Sequence, residues 1–210
     1  MTVLVPASRF ERWATNFAAR HGGSDLVVRD GHLLGRAPDG STFAARQPFA
    51  TTYAGAADAG EFGAAAVPPG EWGVLLVRKG GFAVALLAGA DVVESKVGQR
   101  HVQGRTKAGG QSQQRFARRR DNQARQAYEA AAEHAARILG DHRGVVVAGG
   151  DHGAVDEVLA DPRLRFTVVG PWLPVPDPRR SVLEQAVADA SSIQVEVVNA
   201  PGTPGAPGSS

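Results

Sequence analysis

Cysteine is absent from the chain, which excludes disulfides, thiolate metal sites and cysteine nucleophiles together and leaves little room for redox chemistry of its own. Also missing is any apolar run near the roughly 20 residues that cross a bilayer. The first three residues lead into an amphipathic stretch with no signal-peptide pattern, so the expectation is a soluble, cytoplasmic protein without membrane contact. Lysine is scarce: only Lys79, Lys96 and Lys107 occur, and every other strong base is arginine. The histidines at 21, 32, 101, 134, 142 and 152 lack His-Glu-x-x-His or any comparable ligand spacing, so neither a metal nor a cofactor is expected.

What is present is enough for a core. At 210 residues and 43% hydrophobic, the chain suits one compact domain or two closely fused lobes, and a monomer is expected. The formal net charge of +2 conceals a lopsided distribution. Residues 96–125 hold nine of the 23 Lys and Arg but one of the 21 Asp and Glu. A patch of about +8 therefore rides on a remainder of about −6, a polarity that turns one face toward a polyanion.

Residues 7–20 place Phe10, Trp13, Phe17 and Ala18 at helical spacing after a candidate Ser8 cap. Three short β-like runs follow at 25–29, 32–36 and 42–47, separated by Asp30-Gly31 and Pro38-Asp39-Gly40, and suggest an antiparallel meander. Residues 51–70, rich in Ala and Gly and closing on Pro68-Pro69-Gly70, read as a surface linker. Beyond it, 72–78, 82–88 and 91–97 read as hairpin-linked strands, the first two apolar enough to be central.

Residues 98–110 are polar and glycine-rich without apolar periodicity, an exposed loop. A long helix over 113–139 follows, with Phe116, Ala124, Ala127, Tyr128, Ala131, Ala135 and Ile138 along one stripe. Then a strand at 144–148, a helix at 151–160 and a strand at 166–169 form a β-α-β pattern, before a helix at 181–190 and a final strand at 193–198. Gly149-Gly150-Asp151-His152-Gly153 lacks phosphate-loop spacing and reads as an ordinary strand-to-helix turn. Trp13, Trp72 and Trp172 suit core or lobe-interface packing better than base stacking. The tail from 200, Pro-, Gly- and Ser-rich, has nothing to bury.

The densest chemistry lies where loop meets long helix: Arg105-Thr106-Lys107-Ala108-Gly109-Gly110-Gln111-Ser112, then Arg115-Phe116-Ala117-Arg118-Arg119-Arg120. Two successive glycines let the backbone approach RNA where a Cβ would clash. Arg115, Arg118 and Arg119 fall at i, i+3 and i+4, one helix face able to grip phosphates, with Ser112 as the expected helix cap. The run resembles the middle domain of eukaryotic and archaeal class I release factors, in which Gly-Gly-Gln-Ser leads into a helix opening Arg-Phe-Ala-Arg. It covers residues 92–139 closely and extends loosely to 160. With no room for codon-reading and partner-binding domains, the chain resembles the stand-alone, Vms-like release-factor (VLRF) branch, which has actinobacterial members.

That resemblance implies an α/β fold, a mixed β-sheet with flanking helices like the release-factor middle domain, preceded by an N-terminal helix and β-hairpin extension. The domains expected are 1–50 for the extension, 51–70 for the linker, 71–199 for the catalytic domain and 200–210 for a disordered tail. The activity implied is codon-independent release of nascent peptide from peptidyl-tRNA on a stalled or split large ribosomal subunit, with rRNA of the peptidyl transferase centre and peptidyl-tRNA as partners. Gly109, Gly110 and Gln111 are the expected catalytic residues. A glutamine amide does not titrate near neutrality, so Gln111 would orient water while its backbone N–H stabilises the oxyanion. RNA contacts are expected from Arg100, His101, Arg105 and Lys107 in the loop and from Ser112, Arg115, Arg118, Arg119 and Arg120 on the helix. Two alternatives stay open: cleavage of the tRNA near its 3′ CCA end, and a non-catalytic ribosome- or RNA-binding factor.

Overall fold

The computed structural model describes residues 1–99 and 111–201, and the side chains of residue 99 and of 111–124 lie outside that description. It is a mixed α/β structure that divides into two compact units: Met1–Val67 joined by the chain from Ser191 onward, and Pro68–Ala190.

The first unit holds β1 (Thr2–Val5), α1 (Phe10–His21), β2 (Asp25–Arg29), β3 (His32–Arg36), β4 (Thr42–Arg46), α2 (Ala59–Ala64) and the last strand, β10 (Ile193–Val198), and its five strands build one antiparallel sheet ordered β1-β10-β4-β3-β2. The expected meander is present. Asp30 and Gly31 both take positive φ, 51° and 77°, which matches the twist of a two-residue hairpin. Strand β1 had no periodic signal in four residues. Strand β10, expected within 71–199, pairs instead with β1 and β4 (Val195 opposite Val3 and Ala45). Its inward residues, Ile193 and Val195, are fully buried beside Leu33, Phe43 and Phe10.

Residues 51–70 are no plain linker, since α2 forms there. Asp58 accepts a hydrogen bond from the Glu61 N–H at 2.8 Å, a helix-starting cap. Phe62 is fully buried against Phe10 and Tyr53, with ring centroids 5.3 and 4.8 Å away, and the buried Gln47 donates from Nε2 to the Phe62 carbonyl at 2.7 Å. At the start of α1 a short 3-10 turn over Ala7–Arg9 precedes the helix, and Arg9, not Ser8, stands at the cap without a side-chain bond.

The second unit carries β5 (Trp72–Arg78), β6 (Gly81–Ala88), β7 (Asp91–Gln99), α3 (Gln111–Leu139), β8 (Val145–Gly150), α4 (His152–Leu159), β9 (Thr167–Leu173) and α5 (Arg180–Ala190). Its sheet is mixed, ordered β7-β6-β5-β8-β9, with β5, β8 and β9 parallel and the β5-β6-β7 hairpins antiparallel. Strands β5 and β6 are buried along almost their whole length, as their continuous apolar sequences require of central strands. Leu75, Val77, Val84 and Val146 face Ala131, Ala135, Ile138 and Leu139 of α3 and Val155 and Val158 of α4. The alternating residues Trp72, Val74 and Leu76 are buried on the other side, and α5 packs on β5 and β9.

Register brings four strand ends to one edge of this sheet. Arg78 stands opposite Gly81, Gly81 opposite Gln99, and Val77 opposite Gly150, so β5, β7 and β8 all finish there. Strand β7 runs into the stretch expected as loop because Gly98 accepts the Phe82 ring, which would stand 2.3 Å from a Cβ at that position. Gly150, at φ 101°, lets the chain turn tightly over Val77, whose carbonyl oxygen would lie 2.1 Å from an added Cβ. The turn then enters α4 with Asp151 N–H bonded to that same carbonyl at 2.9 Å.

Two contacts clamp β7 and β6 to α3. The Arg137 guanidinium pairs with the Glu94 carboxylate, and His134 stacks on Phe82 at 5.4 Å. Partial burial, then the nearby Lys96 and Arg137 charges, hold His134 below its ordinary pKa of 6.5, favouring the neutral ring in the folded protein.

Truncating Phe62 to Ala should cost about 3–5 kcal/mol in urea denaturation, while Val67→Ala at an exposed position should stay within about 0.5 kcal/mol. Equal, small effects would return residues 51–70 to a linker. Because a base with a depressed pKa makes the unfolded state the better proton binder, the His134 contribution is intact above its unfolded pKa and falls as pH drops through that value toward the lower folded one. The melting-temperature gap between wild type and His134→Gln should therefore narrow between pH 7.5 and 5, and a constant gap would contradict it.

Candidate functional site

The basic segment singled out above spans the end of β7, at Gln99, and the start of α3, at Gln111. Arg100, His101, Arg105, Lys107, Gly109 and Gly110 lie outside the described residues. Gln111, Ser112, Arg115, Arg118, Arg119 and Arg120 belong to the helical backbone of α3, whose first residue is Gln111. The helix thus begins two residues earlier than its apolar stripe suggested, and Ser112 sits in its first turn instead of capping it. Polarity without stripe residues hid that turn from a periodicity argument.

This helix start has chemical content. The first four N–H groups of an α-helix have no intrahelical acceptor, and the aligned peptide dipoles place partial positive charge among them. Gln111 is the first of those four. Backbone N–H groups in such a first turn can serve as donors to an anionic group.

The length of α3 sets its reach. Its buried residues Ala127, Tyr128, Ala131, Ala135, Ile138 and Leu139 hold the lower part on the sheet. Tyr128 lies near the carboxyl edge: its phenol is held above the ordinary pKa by burial first and by the neighbouring Asp151 and Glu157 charges next. From Tyr128 to Gln111 the helix continues for a further 17 residues, about 25 Å along its axis. Taking 100° per residue, positions 115, 118 and 119 fall on the side of the helix opposite the buried positions 127, 131, 135 and 138.

At the base of the segment, the edge of the sheet is a packed structure. Arg78 donates to the Val175 carbonyl at 2.9 Å and faces Asp151 at 3.4 Å and Asp177 at 3.9 Å. His152 stacks on Trp172 with centroids 3.7 Å apart and planes 12° from parallel. These partners account for the Gly149–Gly153 turn as structure, as the sequence suggested. Trp72 is fully buried, and its indole N–H bonds the Gly89 carbonyl at 2.8 Å. Among the described residues, no three His, Asp or Glu side chains converge as metal ligands would, and no helix is long and apolar enough to cross a membrane.

The residues that the sequence reading missed are those of the clamp, Phe82, Glu94, His134 and Arg137. Glu94 and Arg137 are 43 positions apart, and no local pattern connects them. They matter because they fix the strand that leads into the segment to the helix that leads out of it.

Comparisons with known proteins take in the second unit and run on into β10. The family model described as Actinobacteria/chloroflexi VLRF1 release factor matches residues 70–196, more than half of the chain. No curated protein matches the sequence. Among solved structures, the archaeal translation termination factor aRF1 is similar over 77% of this chain and 47% of its own, at 16% identity and a TM-score of 0.41. This chain therefore spans about half the length of that factor. The Vms1 mitochondrial localization core is similar over 78% of this chain and 75% of its own, at 11% identity and a TM-score of 0.40. With the family match covering the mixed sheet, the basic segment and the long helix together, the chain belongs to the Actinobacteria/Chloroflexi VLRF1 release factor family.

Proposed function

We propose that this protein releases nascent peptide from peptidyl-tRNA at the large ribosomal subunit by ester hydrolysis, with Gly109-Gly110-Gln111 as the working tip. Family membership supports the coarser statement, a ribosome-associated role in peptide release or rescue. The observation that carries the finer one is that Gln111 opens a helix whose far half is anchored in the core of the second unit. A stiff rod about 25 Å long from the anchoring edge to its first residue can deliver a small tip into a narrow RNA cleft.

The chemistry follows from that placement. Attack of water on the ester carbon that joins peptide to tRNA gives a tetrahedral intermediate with a negative oxygen. The new C–O bond forms as the carbonyl π bond opens, and the tRNA 3′ oxygen then leaves with a proton while the peptide carboxyl is freed. The Gln111 backbone N–H would bind the oxyanion and its side-chain amide would hold the attacking water. Gly109 and Gly110 would bring the backbone close without a Cβ in the way. Arg100, His101, Arg105 and Lys107 with Ser112, Arg115, Arg118, Arg119 and Arg120 would hold phosphates around the tip. The enzyme would be a cytoplasmic peptidyl-tRNA hydrolase needing no cofactor.

Purified protein incubated with large subunits carrying a stalled nascent chain should release the peptide, and Gln111→Ala should slow release by about 10²- to 10³-fold. Undiminished release by the variant would remove Gln111 from the chemistry, and no release by the wild type would make the protein a docking factor without catalysis. The tRNA product gives a second check. An intact, rechargeable CCA end is expected, whereas a shortened end bearing a cyclic phosphate would identify tRNA cleavage instead.

A further inference from the structure

A sheet edge carries main-chain N–H and C=O groups with no neighbouring strand to take them, and folded proteins blunt such edges with short strands, bulges or proline. Three of the four edges of the two sheets are blunted in those ways. Strand β1 is four residues long and ends at Pro6, β7 shifts register across from Leu86 and Leu87, and β9 contains Pro171, which has no N–H. The fourth edge, β2, runs Asp25-Leu26-Val27-Val28-Arg29 with neither proline nor bulge, and it pairs on one side only, with β3.

Hairpin geometry fixes which groups of β2 face outward. Asp30-Gly31 is a two-residue turn, so the flanking Arg29 and His32 exchange both main-chain hydrogen bonds, and the pattern alternates back through Val27 with Leu34 to Asp25 with Arg36. The N–H and C=O groups of Leu26 and Val28 therefore point away from β3. Among the described residues nothing bonds them. Their side chains turn to the helix side of the sheet, where both are half-buried at the rim of the core, while Asp25, Val27 and Arg29 are exposed on the other face, Val27 at 49%.

We propose that β2 pairs with β2 of a second copy of this chain, antiparallel about a twofold axis through Val27, so that two five-stranded sheets join into one. The segment is complementary to its own reverse: Asp25 meets Arg29 of the second copy at both ends, Val27 meets Val27, and Leu26 meets Val28. This register sets the outward groups of Leu26 against those of Val28, as a pair exchanging both hydrogen bonds. A shift of one residue would set outward groups against inward ones, and a shift of two would leave the charges unpaired. Across the joined sheet the charges alternate, from Arg36 to Asp25 to Arg29 of the second copy. One five-residue strand pair buries less than the roughly 1,200–2,000 Å² of a stable interface, so the dimer is weak, with a dissociation constant between about 1 μM and 1 mM. It stands in place of the monomer expected from the sequence.

The test is sedimentation of the full chain over about 1 μM to 1 mM, where wild type should pass from monomer to dimer. Val27→Lys, at an exposed position, sets two like charges on the axis with Cα atoms about 4.5 Å apart and should weaken dimerisation roughly tenfold. Asp25→Arg and Arg29→Asp should each weaken it by about tenfold or more, because each places like charges opposite one another at both ends of the strand pair. An equimolar mixture of those two variants restores opposite charges at both ends and should dimerise at least as tightly as wild type. A wild-type chain that stays monomeric throughout would overturn the proposal, as would a dimer whose affinity none of the three substitutions changes. Failure of the mixture to recover affinity, with both variants folded by their melting curves, would overturn it too, since the charges complement one another only in the antiparallel register centred on Val27. Should a charge variant fail to fold, Val27→Lys decides alone.

Discussion

The packing of Ala131, Ala135, Ile138 and Leu139 against β5, β6 and β8 is the interaction on which the position of Gln111 depends. Burying a side chain the size of Ile or Leu contributes about 1.5–3 kcal/mol, and the alanines let the helix axis come close to the sheet. Those contacts sit at one end of α3, and a helix of 29 residues needs no more to hold its other end in a defined direction. Polar residues can occupy the far half because the near half supplies the burial that the helix requires. In this arrangement, stability and reach are divided along one element.

The clamp between β7 and α3 follows the same logic on the other side of the basic segment. A strand paired in a sheet and a helix packed against it hold a fixed position relative to each other, and Glu94, Arg137, Phe82 and His134 tie β7 and β6 to α3 in this way. The exposed Glu94–Arg137 pair contributes little to stability by itself. Its value is register, since it ties a given turn of the helix to a given pair of the ladder.

The first unit poses a different problem. Its sheet is closed by the first and last described strands, so the chain must leave it after Val67 and return at Ser191. Residues 51–70 are drawn into its core by Tyr53 and Phe62. The signal was present in the sequence, since Asp58 three residues ahead of Glu61 is a capping pattern, but Ala- and Gly-rich surroundings masked it. An aromatic cluster in which Trp13 and Phe17 each meet Phe43 edge-on, at 5.1 and 5.0 Å, fills the space under the sheet.

By itself the sequence determined whatever depends on neighbours along the chain. The hairpins at Asp30-Gly31 and Lys79-Gly80, the buried central strands, the β-α-β order, the apolar stripe of the long helix and the Gly-Gly-Gln run beside its arginines were all legible, because turn chemistry and side-chain period are local properties. The tertiary structure alone decided where β10 pairs, that β1 completes the first sheet, and how Glu94 meets Arg137. Those facts rest on register between strands distant in sequence, and register is set by which whole faces can be buried together, a quantity no single stretch of chain contains.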